Sequence, residues 1–249
     1  MGDNGLLRAV RRQLGLGRLL PLRFGEASGA WLTERAARAA LVTAVGAAVP
    51  QARLDGVRLG PAEPLAAEPP RLAVPGPPSA LPPQPLLLSG EIAAYPAVPL
   101  PELADRVRAT LAEVAVGRLG LDVAAVDLTV AELLTEPPEP AGTPTGPPGP
   151  PASTAAGGPG ADAVAEAVRA VAGVRELSAV LDGWLGAVRV SDETEPPARL
   201  VRLQVATEGE RPLAPLVDEV TEVAAATAAG AGGRPPGPVL VALLVTELG

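Results

Sequence analysis

Four aromatic side chains, Phe24, Trp31, Tyr95 and Trp184, serve a chain of 249 residues. A core cannot be assembled around stacked rings, so Ala, Val and Leu must fill it. Hydrophobic residues make up 47% of the chain, enough to bury a sizeable interior. Small aliphatic side chains have little shape of their own to fix one packing. Register must therefore come from hydrophobic periodicity and from turns.

The same sequence contains no histidine, no cysteine and no lysine. Imidazole is the usual acid/base switch at neutral pH. Thiolates and imidazoles hold structural zinc. Schiff-base chemistry and the phosphate-binding loop both use a lysine amine. The chain is expected to be non-enzymatic, with no cofactor, no metal and no small-molecule substrate. Its net charge of −8 disfavours nonspecific binding to nucleic acid or anionic lipid by the folded body. The opening Met1-Gly2-Asp3-Asn4-Gly5 lacks the charged and apolar regions of a signal peptide. No apolar run reaches the length of a membrane span. A cytoplasmic location is therefore expected.

Two segments interrupt the periodic pattern. Residues 135–160 are dense in Pro and Gly and read as a disordered linker. Residues 61–85 are also Pro-rich but carry Leu65, Leu72, Val74 and Leu81. They are expected to form a long loop whose apolar residues touch the fold. This divides the chain into a basic leader over 1–27, an α+β unit over 28–134 with its insertion at 61–85, the linker, and a second α+β unit over 161–249.

Both units read as α-β-β-α-β. In the first, a helix is predicted over 31–49, strands ending at Val57-Arg58-Leu59 and over 86–93, a helix over 99–119, and a strand over 123–133. The second helix shows Leu103, Val107, Leu111 and Val114 on one face. In the second, helices are predicted over 161–172 and 212–229, and strands over 187–190, 200–206 and 239–248. The last strand is apolar on both faces and so expected to be central. Pro99-Leu100, Leu103, Asp105 and Val107 align with Pro212-Leu213, Leu216, Asp218 and Val220. Val130-Ala131-Glu132-Leu133 aligns with Val245-Thr246-Glu247-Leu248. Each unit is expected to be a small mixed sheet with both helices on one face, joined by a right-handed crossover. A three-stranded sheet leaves a face or an edge that another repeat or another chain could cover.

This layout resembles the alkaline shock protein family, small bacterial proteins linked with envelope stress. The resemblance lies in a helix running into a short turn (Ala48-Val49-Pro50 through Leu59; Val171-Ala172-Gly173-Val174 through Leu177), a strand pair, and an amphipathic helix leading to a terminal strand. It covers both units but neither leader nor linker. The Arg-rich opening and the duplicated body after it also resemble actinobacterial proteins sometimes given a nucleopolyhedrovirus-type label. The resemblance implies a non-enzymatic scaffold or stress-associated protein that associates with itself and with membrane-anchored partners.

The leader is the candidate binding element. Leu7, Val10 and Leu14 can share a helical face, and Arg8, Arg11, Arg12 and Arg18 form a basic cluster in an acidic protein. Such a helix could meet a protein partner or lie on a membrane surface, or pack on its own acidic body. Other motifs have plainer explanations. Gly15-Leu16-Gly17 lacks the third glycine of a dinucleotide fingerprint. Gly230-Ala231-Gly232-Gly233-Arg234 comes after a helix and reads as its C-terminal loop rather than a phosphate cradle. Ser191-Asp192-Glu193-Thr194-Glu195 reads as a solvated hairpin, and Ser28 as a residue near a helix start. The alternatives to a scaffold are a nucleic-acid-binding module, which the missing stacking aromatics and the acidic charge disfavour, and a carboxylate-driven hydrolase.

Overall fold

The computed structural model describes residues 17–64, 72–139, 156–181 and 186–249. The fold is α+β, and its strands form two sheets. The first sheet has three strands: β3 (Ala52–Pro61), β4 (Leu86–Ala94) and β5 (Val123–Leu133). β3 is antiparallel to β4, and β4 is parallel to β5. Helix α1 (Glu34–Ala48) precedes β3. Helix α2 (Leu100–Glu113), running on into a π-helical turn at Val114–Arg118, links β4 to β5. Three of the four predicted stripe residues of α2, Leu103, Val107 and Leu111, face the core; Val114 falls in the π-helical turn and is partly buried, and Ala115 is buried instead.

The second sheet has seven strands. Its centre is β10 (Val239–Leu248), parallel to both neighbours, β9 (Pro197–Thr207) and β2 (Ser28–Thr33). The two apolar faces of β10 are thereby explained. Val241, Leu243 and Val245 enter one core cluster, and Ala242 and Leu244 the other. β1 (Leu19–Phe24) pairs with β2 at one side. On the other side, β7 (Val174–Leu177) and β8 (Val188–Thr194) both lie antiparallel to β9. They share one edge of β9, β7 beside Val205–Thr207 and β8 beside Pro197–Leu203. Where the chain leaves the sheet between them, buried Gln204 holds it. Its Oε1 accepts from the amides of Val180 and Leu181 (3.1 and 2.7 Å), and its Nε2 donates to the carbonyls of Leu181 and Gly186 (3.2 and 2.9 Å). Helix α3 (Ala161–Arg169) precedes β7, and α4 (Leu213–Gly230) links β9 to β10.

One continuous cluster joins all four helices to the inward-facing residues of both sheets. A second cluster covers the opposite face of the large sheet, where Trp31 is fully buried against Leu19, Val74, Leu200 and Leu244. Val74 comes from the Pro-rich insertion, and Leu72 and Ala80 pack beside it. The insertion also donates Leu81 N–H to Leu19 O at 2.9 Å. It therefore touches the fold as its apolar residues predict; Leu65 lies outside the described residues.

Several expectations are corrected. The second unit does not make a small sheet of its own, because β1 and β2 from the first half, β7 and a short strand at Ala156–Gly157 join β8–β10 in one seven-stranded sheet. Residues 28–33 are a strand, and the first helix begins at Glu34 rather than Trp31. The cap is Thr33, not Ser28: its Oγ1 accepts from Ala36 N–H and donates to Thr246 O. Leu19–Phe24, assigned to the leader, is a strand of the large sheet. Tertiary pairing with β10 outweighs local helical periodicity here, since short apolar runs are ambiguous between helix and strand. The end of the Pro/Gly linker is also structured. Ala156–Gly157 forms a short strand, β6, parallel to β8. Gly158 comes next at φ +101°, where an added Cβ would lie 1.8 Å from Val190 O. Gly158→Ala should therefore cost more than about 1 kcal/mol of stability, read by chemical denaturation. A neutral result would show that 156–160 does not pack against β8. Residues 140–155 of the linker lie outside the described residues. No helix among the described residues is long and apolar enough to cross a membrane.

Candidate functional site

Alternation along β3, β4 and β5 sends the apolar residues inward and leaves a polar outer face. Arg58, Glu91, Asp127 and Thr129 are exposed there, while Leu54, Val57, Leu59, Leu88 and Ile92 are buried. A groove of about 570 Å³ runs over this face to the first turns of α1 and is lined by Arg18, Arg38, Arg58, Glu34, Glu91 and Asp127 among others. Arg18 is the one candidate leader residue within the described structure. Leu7, Arg8, Val10, Arg11, Arg12 and Leu14 lie outside it.

Arg18 works as an edge cap. Glu34 Oε2 accepts from the Arg18 amide at 3.1 Å, and Glu34 Oε1 accepts from Leu59 N–H at 3.2 Å. Arg18 Nη1 donates to Leu59 O at 3.3 Å. The free backbone groups of Leu59 on the edge of β3 are thus used up, and β3 cannot pair further at that point. Gly60 makes room for this, since a Cβ there would stand 2.8 Å from Arg18 Nη1. The side chains of Arg38, Arg58, Glu91 and Asp127 form no hydrogen bond or ion pair among the described residues. The groove therefore offers both signs of charge and no net preference for phosphate.

The opposite edge of this sheet is different. β5 is 11 residues long and, among the described residues, pairs only with β4. Val130 and Leu133 are 37% and 59% exposed, two of the three exposed large hydrophobic residues among those described. Among the described residues, the one side chain on its backbone is Arg108, whose Nε reaches Val126 O at 3.3 Å.

Glu132 and Glu247, the matched acids at the strand ends, are both paired. Glu132 accepts from Arg53 Nη2 at 3.2 Å. Glu247 accepts from Arg35 at 2.7 Å and from Arg175 at 2.9 Å, tying α1 and β7 to β10. The Arg53 guanidinium is held above its ordinary pKa, chiefly by its hydrogen bond to Asp55 and further by Asp55 and Glu132 charge.

Sequence reasoning missed Arg199. This side chain is 1% exposed. Its Nε and Nη2 grip both oxygens of Asp192 across the β8–β9 hairpin, at 2.7 and 2.9 Å. Its Nη1 donates to the carbonyls of Ala228, Ala231 and Gly233 at 2.8 to 3.0 Å. The glycine loop after α4 thus wraps a guanidinium with its carbonyls, which leaves no role for it as an anion cradle. The cue lay in two segments far apart in sequence, the acid-rich hairpin and the loop, and only folding brings them to one arginine. Asp192 is held below the usual carboxylate range by the hydrogen bonds from Arg199. Among the described residues no group of three acidic side chains is placed to share a metal ion. Comparison with family models, curated proteins and solved structures returns no match.

Proposed function

We propose that this chain is a non-enzymatic scaffold or stress-associated binding protein, built from two copies of one α-β-β-α-β unit and acting through protein–protein association. Several details support the duplication beyond element order. The order β3-β4-β5 and the order β8-β9-β10 have the same antiparallel-then-parallel sense. Both parallel pairs carry a register shift at the same place: Ile92 faces Val130 and Ala93 faces Glu132, while Val205 faces Val245 and Ala206 faces Glu247. In each copy the acid after the shift meets an arginine from a strand antiparallel to the middle one: Arg53 of β3 with Glu132, and Arg175 of β7, which shares the edge of β9 with β8, with Glu247. Low-complexity sequence aligns by chance easily; a shared bulge and a shared ion pair do not.

The observation that carries the function is the open edge of β5. Folded proteins blunt long edge strands, because unpaired backbone groups recruit other strands. Here the matching edge of β10 is filled by β2, whereas β5 is left with exposed Val130 and Leu133. An alkaline-shock-like role fits this arrangement, since it needs association surfaces rather than a reactive centre. A photo-cross-linking residue placed at Thr129 of the full chain in its native cells should yield protein adducts, and the same residue at Glu222, exposed on α4, should not. Equal labelling at both positions, or none at Thr129, would remove the reading.

A further inference from the structure

We infer that the edge of β5 takes a second copy of this chain, β5 against β5 in antiparallel sense, so that two three-stranded sheets become one of six strands. The inference rests on the association reading above and names the partner. β5 runs Val-Ala-Ala-Val-Asp-Leu-Thr-Val-Ala-Glu-Leu from residue 123 to 133, and Leu128 is its midpoint. Turned about that midpoint, the strand meets itself with like opposite like. Val126 faces Val130, Val123 faces Leu133, and Asp127 faces Thr129. Neither Asp127 nor Glu132 meets another charge. Directly opposed residues in an antiparallel pair point to the same face and are the unit of sheet stabilisation. The apolar pairs Val126–Val130 fall on the helix side and the Asp127–Thr129 pairs on the polar outer side.

A two-fold operator needs only this one patch, self-complementary, on each partner. The irregularities of β5 against β4 fall between Val123 and Ala125 and between Val130 and Glu132, outside the central run. Two other edge strands are blocked at one residue each. Leu59 of β3 is capped by Arg18 and Glu34, and Leu19 of β1 bridges to Ala80. On β5 Arg108 is the one side chain among the described residues that stands in the way, at one carbonyl, and its Nη1 already has Asp105.

The register makes an opposed pair of variants. Thr129→Asp sets a like charge against Asp127 twice in the dimer, and Thr129→Arg sets an opposite one there. Thr129 is exposed, so neither change touches the core. Sedimentation velocity of the full chain over a concentration series is the measurement. The unmodified protein should form a concentration-dependent dimer. Thr129→Asp should raise the dimer Kd about tenfold, and Thr129→Arg should lower it. Circular dichroism should be unchanged in both. A monomer at the highest soluble concentration would overturn the inference, as would a dimer whose Kd moves the same way, or not at all, in both variants. A monomer that still cross-links other proteins through position 129 would overturn the second copy as partner and leave the association reading standing.

Discussion

Replacing Arg199 by Met should lower the stability of the chain by about 3 kcal/mol, the low end of the loss caused by removing one member of a buried ion pair. The low end applies because the Asp192 side chain is 37% exposed and can rehydrate once released. The larger part of the loss lies with the carbonyls of Ala228, Ala231 and Gly233, which the guanidinium holds together at the end of α4. A helix leaves its last carbonyls without intrahelical partners, and burying them unpaired is costly. For a domain of this size the melting temperature should fall by about 6–12 °C, measured at matched protein concentration. Arg199→Lys should recover little, because one ammonium cannot span a bidentate carboxylate and three carbonyls at once.

The same pair predicts a pH signature. Asp192 has a depressed pKa in the folded state, so its contribution is fully present above its unfolded pKa, near 3.9. It is lost as pH falls through the lower, folded value. The unmodified protein should therefore lose stability on acidification below about pH 4, and Arg199→Met should show a shallower loss over that window. If the two denaturation curves ran parallel in acid, the Asp192–Arg199 bond would not be formed in solution.

Truncating Trp31 should have an effect of similar size. Its ring is fully buried between the large sheet and the Pro-rich insertion, with Phe24 edge-on at a centroid distance of 5.2 Å. Gly76 closes over it, so that a Cβ there would come within 3.1 Å of the ring. Trp31→Ala should cost about 3–5 kcal/mol and should expose 72–81 to proteases, since Val74 shares its buried cluster and Gly76 lies on the ring. Trp31→Phe should cost much less. The indole N–H has no hydrogen-bond partner among the described residues, so the substitution removes a donor unpaired among them while keeping most of the ring. Equal losses in the two variants would mean that the N–H is bonded in solution and that the polar atom, not the ring area, carries the site.

Local patterning made much of this fold legible. The stripe of α2, the apolar face of α4 and the alternation of β5 and β9 depend on residues a few positions apart, and the chain adopts them nearly as read. The two-sided apolar run of β10 also announced its central place. The matched endings at Glu132 and Glu247 were visible as letters, and each forms an ion pair with an arginine of its own half.

Less of the candidate site could be seen. Arg18 was marked for its charge, yet its role as an edge cap depends on Glu34 and Leu59, which reach it only through the packing of α1 on β3. Arg199 stood just outside the strand expected over 200–206 and carried no signal. The sequence by itself determined helices α1–α4 and the six strands β3–β5 and β8–β10, because helix and strand spacing are written within a few residues; β1, β2, β6 and β7 were not read from it. Tertiary structure alone decided that residues 19–33 form a hairpin beside β10, that the last glycine loop encloses a guanidinium, and that β5 keeps a free edge. Each depends on backbone groups from segments tens to hundreds of residues apart, and a one-dimensional pattern does not record which of those groups meet.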